Sequence, residues 1–153
     1  MKRSFYYYIT LAIIATCLFG SSIIYAKEEK TKDFQIKDGV LVKYKGINSE
    51  VIVPDGVTVI PDGLFAFCFK LKGIKLPSSV KIIGESAFHV NESMTSLILP
   101  EGLTTISDFA FQGCTGLTSL TIPESVTYIG KYAFSGCEKI KNITIPESVT
   151  SIG

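Results

Sequence analysis

Five prolines, Pro54, Pro77, Pro100, Pro123 and Pro146, stand 23 residues apart without exception, and their neighbours recur in step. Composition alone does not produce four equal steps; a repeated supersecondary unit does. Three places past each proline comes an aliphatic residue (Val57, Val80, Leu103, Val126, Val149), and six places past it isoleucine (Ile60, Ile83, Ile106, Ile129, Ile152). An apolar pair at places ten and eleven ends in Phe65, Phe88, Phe111 and Phe134. Place fourteen holds Cys68, Cys114 and Cys137, with Asn91 in the remaining complete repeat. Each following unit opens as in Leu71, Ile74, Leu76 and Pro77. Such a chain is expected to be a repeat solenoid, its core a column in which each unit buries its neighbours.

The pattern Leu-x-x-Leu-x-Ile-Pro-x-x-Val-x-x-Ile-Gly-x-x-Ala-Phe-x-x-Cys resembles the BspA-like, or Treponema-type, leucine-rich repeats, over about residues 33–153. The resemblance implies a β-rich leucine-rich repeat solenoid with a parallel strand ladder and an arched return side. It also implies a non-enzymatic protein that adheres to host, matrix or microbial surface proteins. The commoner leucine-rich signature carries Asn or Cys at the ninth repeat position. Here that place holds Gly56, Ser79, Gly102, Ser125 and Ser148, so no asparagine ladder is expected and the arched side must be built differently.

Within a repeat, a strand is expected just before each proline, as in Leu97-Ile98-Leu99, because proline cannot donate to a ladder and ends the strand. A tight turn then leads to a second extended piece such as Thr104-Thr105-Ile106, and Gly84 and Gly130 permit a sharp bend. The segment from Ala-Phe to Cys has room for short helical turns only, and its phenylalanines should stack inside the column. Upstream, Phe34, Ile36, Val40, Val42 and Tyr44 alternate around Asp38-Gly39. An Asp-Gly pair in that setting predicts a type I′ hairpin. We read residues 33–50 as an N-terminal hairpin cap with its connecting loop, and 51–153 as the solenoid, its last repeat incomplete. The stop at Gly153, at the bend of the fifth repeat, reads as a fragment of a longer repeat protein.

Residues 1–26 read as a signal peptide: Lys2 and Arg3, an apolar run from Phe5 to Phe19, then Gly20-Ser21-Ser22 and a cleavage site after Ala26. Two other readings stay open. The span Phe5 to Ala26 is long enough for a membrane anchor, and Ile14-Ala15-Thr16-Cys17 approximates a lipoprotein box, with Thr16 where such boxes want Gly or Ala. All three place the protein outside the cytoplasm, secreted or at the cell surface. Lys27 to Lys32 is a charged tether. Cleavage removes two of the 15 cationic residues, leaving 13 against 14 Asp plus Glu, a net charge of −1. That balance offers nothing to attract nucleic acid, and contact with a membrane is expected only through an uncleaved N-terminal segment.

The three remaining cysteines share one repeat position and point the same way. Cys68 and Cys114 should stand about 10 Å apart if rungs stack near 4.8 Å, beyond disulfide reach, and Cys114 and Cys137, one rung apart, are at the margin of it. Buried cysteine behaves as a small hydrophobe, so the thiols are expected to be buried and reduced. His89 is the single histidine, placed in a solvent-facing turn, with no partner for a metal set or a catalytic base. No cofactor and no small-molecule substrate is indicated. Asn91-Glu92-Ser93 and Asn142-Ile143-Thr144 fit the glycan acceptor pattern by chance, with Ile143 expected inside a strand. What remains is surface: outward positions of the strand ladder form parallel rows across repeats, and such faces are extended binding surfaces. The candidate partner-binding residues are Lys72, Lys75, Thr95, Ile98, Thr118, Thr121, Lys141 and Thr144. Two alternatives stand beside a protein-binding role: a spacer displaying a domain beyond Gly153, or part of an enzyme whose catalytic domain lies there.

Overall fold

The computed structural model describes residues 33–38 and 40–153; the expected signal peptide and tether, and Gly39, lie outside the described residues. The repeats build two parallel ladders. The back ladder, formed after the prolines, comprises β4 (Val59–Ile60), β6 (Ile82–Ile83), β8 (Thr105–Ile106), β9 (Tyr128–Ile129) and β10 (Ser151–Ile152). Each of its strands pairs with the equivalent residues of the next, Ile60 with Ile83, Ile83 with Ile106, Ile106 with Ile129 and Ile129 with Ile152. A fixed shift of one repeat length per rung is what an unbroken sequence period imposes.

The hairpin is present where Asp38-Gly39 predicts it. Strands β1 (Phe34–Lys37) and β2 (Val40–Tyr44) pair antiparallel, and Asp38 takes the left-handed φ of 52° that the turn requires. β2 then pairs parallel to β4 through Val40 and Val59, so the hairpin covers the first edge of the back ladder. Covering that edge removes a row of unpaired backbone groups.

The front ladder departs from expectation. Strands precede Pro54, Pro77 and Pro100, as β3 (Glu50–Ile52), β5 (Gly73–Lys75) and β7 (Ser96–Ile98), and no strand precedes Pro123 or Pro146. Hydrogen bonding shows why. The N–H of Lys72 reaches the Ser49 carbonyl at 2.7 Å, that of Thr95 reaches Lys72 at 2.9 Å, and that of Thr118 reaches Thr95 at 3.4 Å. Among the described residues no such bond joins Lys141 to Thr118. Rungs four and five are spread apart at the front while they stay joined at the back. Ile143, expected in a strand, is half-exposed in this opened stretch.

The arched side contains no helix among the described residues, and this corrects the expectation of short helical turns. Alternate N–H groups there donate forward to the next rung: Phe65 to the Ala87 carbonyl at 2.9 Å, Phe88 to Ala110 at 2.8 Å and Phe111 to Ala133 at 2.8 Å. Backbone groups spent between rungs are not free for helical bonds. The turn is held instead by left-handed residues at places nine and thirteen, for example Ser86 (φ 54°) and Val90 (φ 54°) in the second repeat. Gly84 and Gly130, where a sharp bend is expected, do not take positive φ. They are required because a Cβ at Gly84 would sit 2.8 Å from the Asp62 nitrogen, and one at Gly130 would meet Asp108. Close approach of two rungs fixes these glycines.

The column between the ladders is filled as predicted. Phe65, Phe88 and Phe111 are fully buried, and with Phe134 they stack in near-parallel planes at centroid spacings of 5.4, 5.2 and 5.6 Å. Tyr44 of the cap continues the row at 5.2 Å from Phe65. Each fully buried ring contributes about 1.5–3 kcal/mol of transfer free energy.

Candidate interaction surface

Side chains alternate across a strand, so Ile74 and Leu76 enter the core while Lys75 between them faces water. The same alternation brings all eight predicted residues to the surface: Lys72, Lys75, Thr95, Ile98, Thr118, Thr121, Lys141 and Thr144 are each exposed. Ile98 is the most exposed of the front-face hydrophobics, at 82 %. The eight do not form one uniform face. Lys75 and Ile98, with Gly73, line an open concavity of about 500 Å³ over the paired strands. Thr118, Thr121, Lys141 and Thr144 line a larger groove of about 930 Å³, with Glu124, Glu138 and Lys139, where the ladder has opened. Lys72 and Thr95 lie outside both. The Thr95 and Thr118 hydroxyls also lean on the preceding rung, donating to the Lys72 and Thr95 carbonyls at 3.5 and 3.3 Å.

Buried polar groups elsewhere serve the stack. Cys114 and Cys137 thiols donate to the Phe88 and Phe111 carbonyls, each at 3.2 Å, and Asn91 Nδ2 makes the equivalent bond to Phe65 at 2.8 Å. Burial pushes the Cys114 thiol up to about 12 and the Cys137 thiol up to about 11, and it also raises Cys68, which is only half-buried. All three are free thiols, and neutral buried thiols are poor nucleophiles. Asn91 is fully buried, so its glycan pattern is not an acceptor site. His89 is half-buried rather than solvent-facing, edge-on to Phe67 at 5.2 Å. Among the described residues no cluster of His, Cys, Asp or Glu could hold a metal ion.

Sequence reasoning missed the exposed aromatics of the arched side. Phe67 and Phe69 are each 55 % exposed, and Tyr132, also exposed, stacks on Phe109 at 5.5 Å. The signal was available in the register: Phe67 occupies the place of Val90, Gly113 and Gly136, the one aromatic at that place.

The repeat register, the paired ladders and the phenylalanine stack now have a counterpart among known proteins. The family model for the BspA type leucine rich repeat region matches residues 35–153 in six copies. The chain belongs to the BspA-type leucine-rich repeat family. Its match begins inside the hairpin, so the cap falls within the repeat region. No curated protein matches the chain. Among solved structures it is similar to the T. pallidum leucine-rich repeat protein, with 34 % identity over 80 % of this chain and a TM-score of 0.76. A leucine-rich repeat protein from Bacteroides ovatus is 32 % identical over 78 % of this chain, with a TM-score of 0.70. A leucine rich cell surface protein from Faecalibacterium prausnitzii is 27 % identical over 73 %, with a TM-score of 0.53. This BspA-type chain spans 62 %, 34 % and 39 % of those three chains respectively. Repeat proteins of this kind present extended surfaces to protein partners.

Proposed function

We propose that this chain belongs to an exported, non-enzymatic protein that attaches to other proteins at the cell surface, host, matrix or microbial, through its strand face. The observation that carries the reading is the exposure of all eight outward residues, six of which line two open concavities. Export is supported by the sequence of residues 1–26, a positive start, an apolar run and a small-residue cleavage site. A related chain described as a cell surface protein supports the location. No cofactor, nucleic acid or small-molecule substrate enters this function.

One observation favours a second reading, a spacer that displays another domain. The front face carries no aromatic and no Arg, the residues that most often anchor interfaces, and two of its threonines spend their hydroxyls on the ladder. Charge reversal at Lys72 and Lys141 separates the two. In a binder the double variant Lys72→Glu/Lys141→Glu loses attachment to immobilised matrix and microbial surface proteins while its melting temperature holds. Surface changes of this kind move stability by no more than about 0.5 kcal/mol. Undiminished attachment removes the strand face from the function and leaves the spacer.

A further inference from the structure

The front of rungs four and five is a strand ladder whose backbone is left open. Where the ladder is closed, the Val53 N–H of rung one donates to the Lys75 carbonyl of rung two at 3.0 Å. The repeat puts Ile122 at the place of Val53 and Thr144 at the place of Lys75. Between Ile122 and Thr144 no such bond forms. Among the described residues, Ser119 to Ile122 and Lys141 to Ile145 make no backbone–backbone hydrogen bond at all. Leu120 and Ile122 are buried all the same, where a peptide group without a partner costs free energy.

Two gaps flank the front of rung four. The one toward rung three, lined by Leu97, Ser119 and Thr121, measures about 210 Å³. The one toward rung five, lined by Leu120, Ile122, Asn142 and Thr144, measures about 930 Å³. A strand residue takes up about 3.3 Å along the chain, 4.8 Å across the sheet and 10 Å through it, or about 160 Å³. Four residues facing Ser119–Ile122 therefore need about 640 Å³, more than the first gap offers and less than the second. The lining also says which segment fits. Leu120 and Ile122 form an apolar inner wall, while Ser119, Thr121, Asn142 and Thr144 are exposed and uncharged. Glu124 and Glu138 are matched by Lys139 and Lys141, so the groove selects no charge.

We infer that an extended segment of a partner protein adds to the ladder in this groove, its backbone bonding to rungs four and five. Aliphatic residues at alternate places lie on Leu120 and Ile122, and small polar residues between them face water. Strand addition of this kind takes affinity from main-chain bonds and specificity from the alternate side chains. The inference rests on the reading that the front face binds proteins, and it names the form of the partner: an unfolded tail or loop, not a folded surface.

The capped peptide Thr-Ser-Leu-Thr-Ile, the sequence of Thr118–Ile122, carries that alternation and serves as the probe. Amide hydrogen exchange in the full chain reads it out. Without peptide, the N–H groups of Leu120, Ile122, Asn142 and Thr144 should exchange faster than that of Ile74 in the closed ladder. With peptide at about ten times its Kd they should slow roughly tenfold, and Ile74 should not change. The same peptide N-methylated at alternate residues keeps its side chains but loses main-chain donors, and it should give no protection. Changing the peptide keeps the folding of the protein out of the comparison. Groove amides as slow as Ile74 in the free chain, or no protection up to the peptide's solubility limit, overturn the inference. Equal protection by the methylated peptide overturns it too, since side chains alone then carry the binding. Should attachment through Lys72 and Lys141 survive any of these results, the front face still binds proteins and only strand addition falls.

Discussion

The front and back ladders are built from the same repeats at the same period, yet one loosens along the chain and the other does not. Backbone bonds at the front lengthen from 2.7 to 2.9 to 3.4 Å and then cease, whereas the matching bonds at the back stay between 2.8 and 3.0 Å through Lys81, Thr104, Thr127 and Thr150. The difference lies in what else crosses between rungs. At the back, Ser79, Ser125 and Ser148 donate to carbonyls of the preceding rung at 2.7, 2.6 and 2.8 Å. Asp62 and Asp108 accept from the Glu85 and Lys131 N–H groups at 2.8 and 2.9 Å. At the front, among the described residues, the side chains contribute two long threonine bonds. A ladder reinforced by side chains keeps its spacing, and one without reinforcement is free to open a groove.

The column between the ladders should yield the largest effect. Phe111→Ala removes a ring stacked on both sides and is expected to cost about 3–5 kcal/mol in denaturant unfolding. Phe134→Ala should cost less, since its ring is half-buried and stacked on one side. Equal losses would mean that both ladders draw the same support from the stack along its length.

Glycine substitutions then separate front from back directly. A Cβ at Gly130 meets backbone, with the Ser107 carbonyl carbon 2.5 Å away, while a Cβ at Gly73 meets only the flexible Glu50 carboxylate. Gly130→Ala should therefore destabilise by about 1–3 kcal/mol, as overpacking does. Gly73→Ala should stay within about 0.5 kcal/mol of the parent. Equal costs in thermal unfolding would break the claim that the front rungs have room to move.

The period, the cap and the phenylalanine stack were legible in the sequence because each is a local rule repeated: proline ends a strand, Asp-Gly turns a hairpin, Phe recurs at place eleven. The outward residues followed from alternation. What the sequence did not show depends on contacts between rungs. Pro123 and Pro146 keep the apolar positions that precede Pro100, yet the strands before them are absent, because pairing belongs to two rungs and not to one. The arched side was misread as helical turns for the same reason, its N–H groups being spent on the next rung. At Gly84 and Gly130 the close approach of the preceding rung was not legible, because it too belongs to two rungs. Phe67 was visible as a departure from the register and was not weighed.

The thiols test the back half of the column through pH. Cys114 has its pKa raised in the folded state above the ordinary value of 9.0, to about 12, because burial penalises the thiolate. Its contribution is complete below the unfolded value and is lost as pH rises above it, since the unfolded chain then releases a proton that the folded chain retains. At pH 10 the loss should be about 1.4 kcal/mol for this thiol, the worth of one pH unit. Denaturant unfolding at pH 8 and pH 10 should show a smaller drop for Cys114→Ala than for the parent. An identical alkaline drop in both would mean that Cys114 is ionised in the folded state and that the column is open to water there.

The smallest effect is the sharpest test of the comparison. Thr104 and Thr118 make the same kind of bond, hydroxyl to the carbonyl one repeat back, at 3.0 Å on the back ladder and 3.3 Å on the front. A net hydrogen bond of this sort contributes about 0.5–1.5 kcal/mol when well formed. Thr104→Val, half-buried with its rungs held by the neighbouring backbone bond at 2.9 Å, should lose most of that. Thr118→Val leaves an exposed carbonyl that water can reach, so its unfolding midpoint should match the parent. Should the two valines cost the same, the 3.3 Å bond supports its ladder as firmly as the shorter one. The opening after Thr118 would then need a cause other than missing side-chain reinforcement.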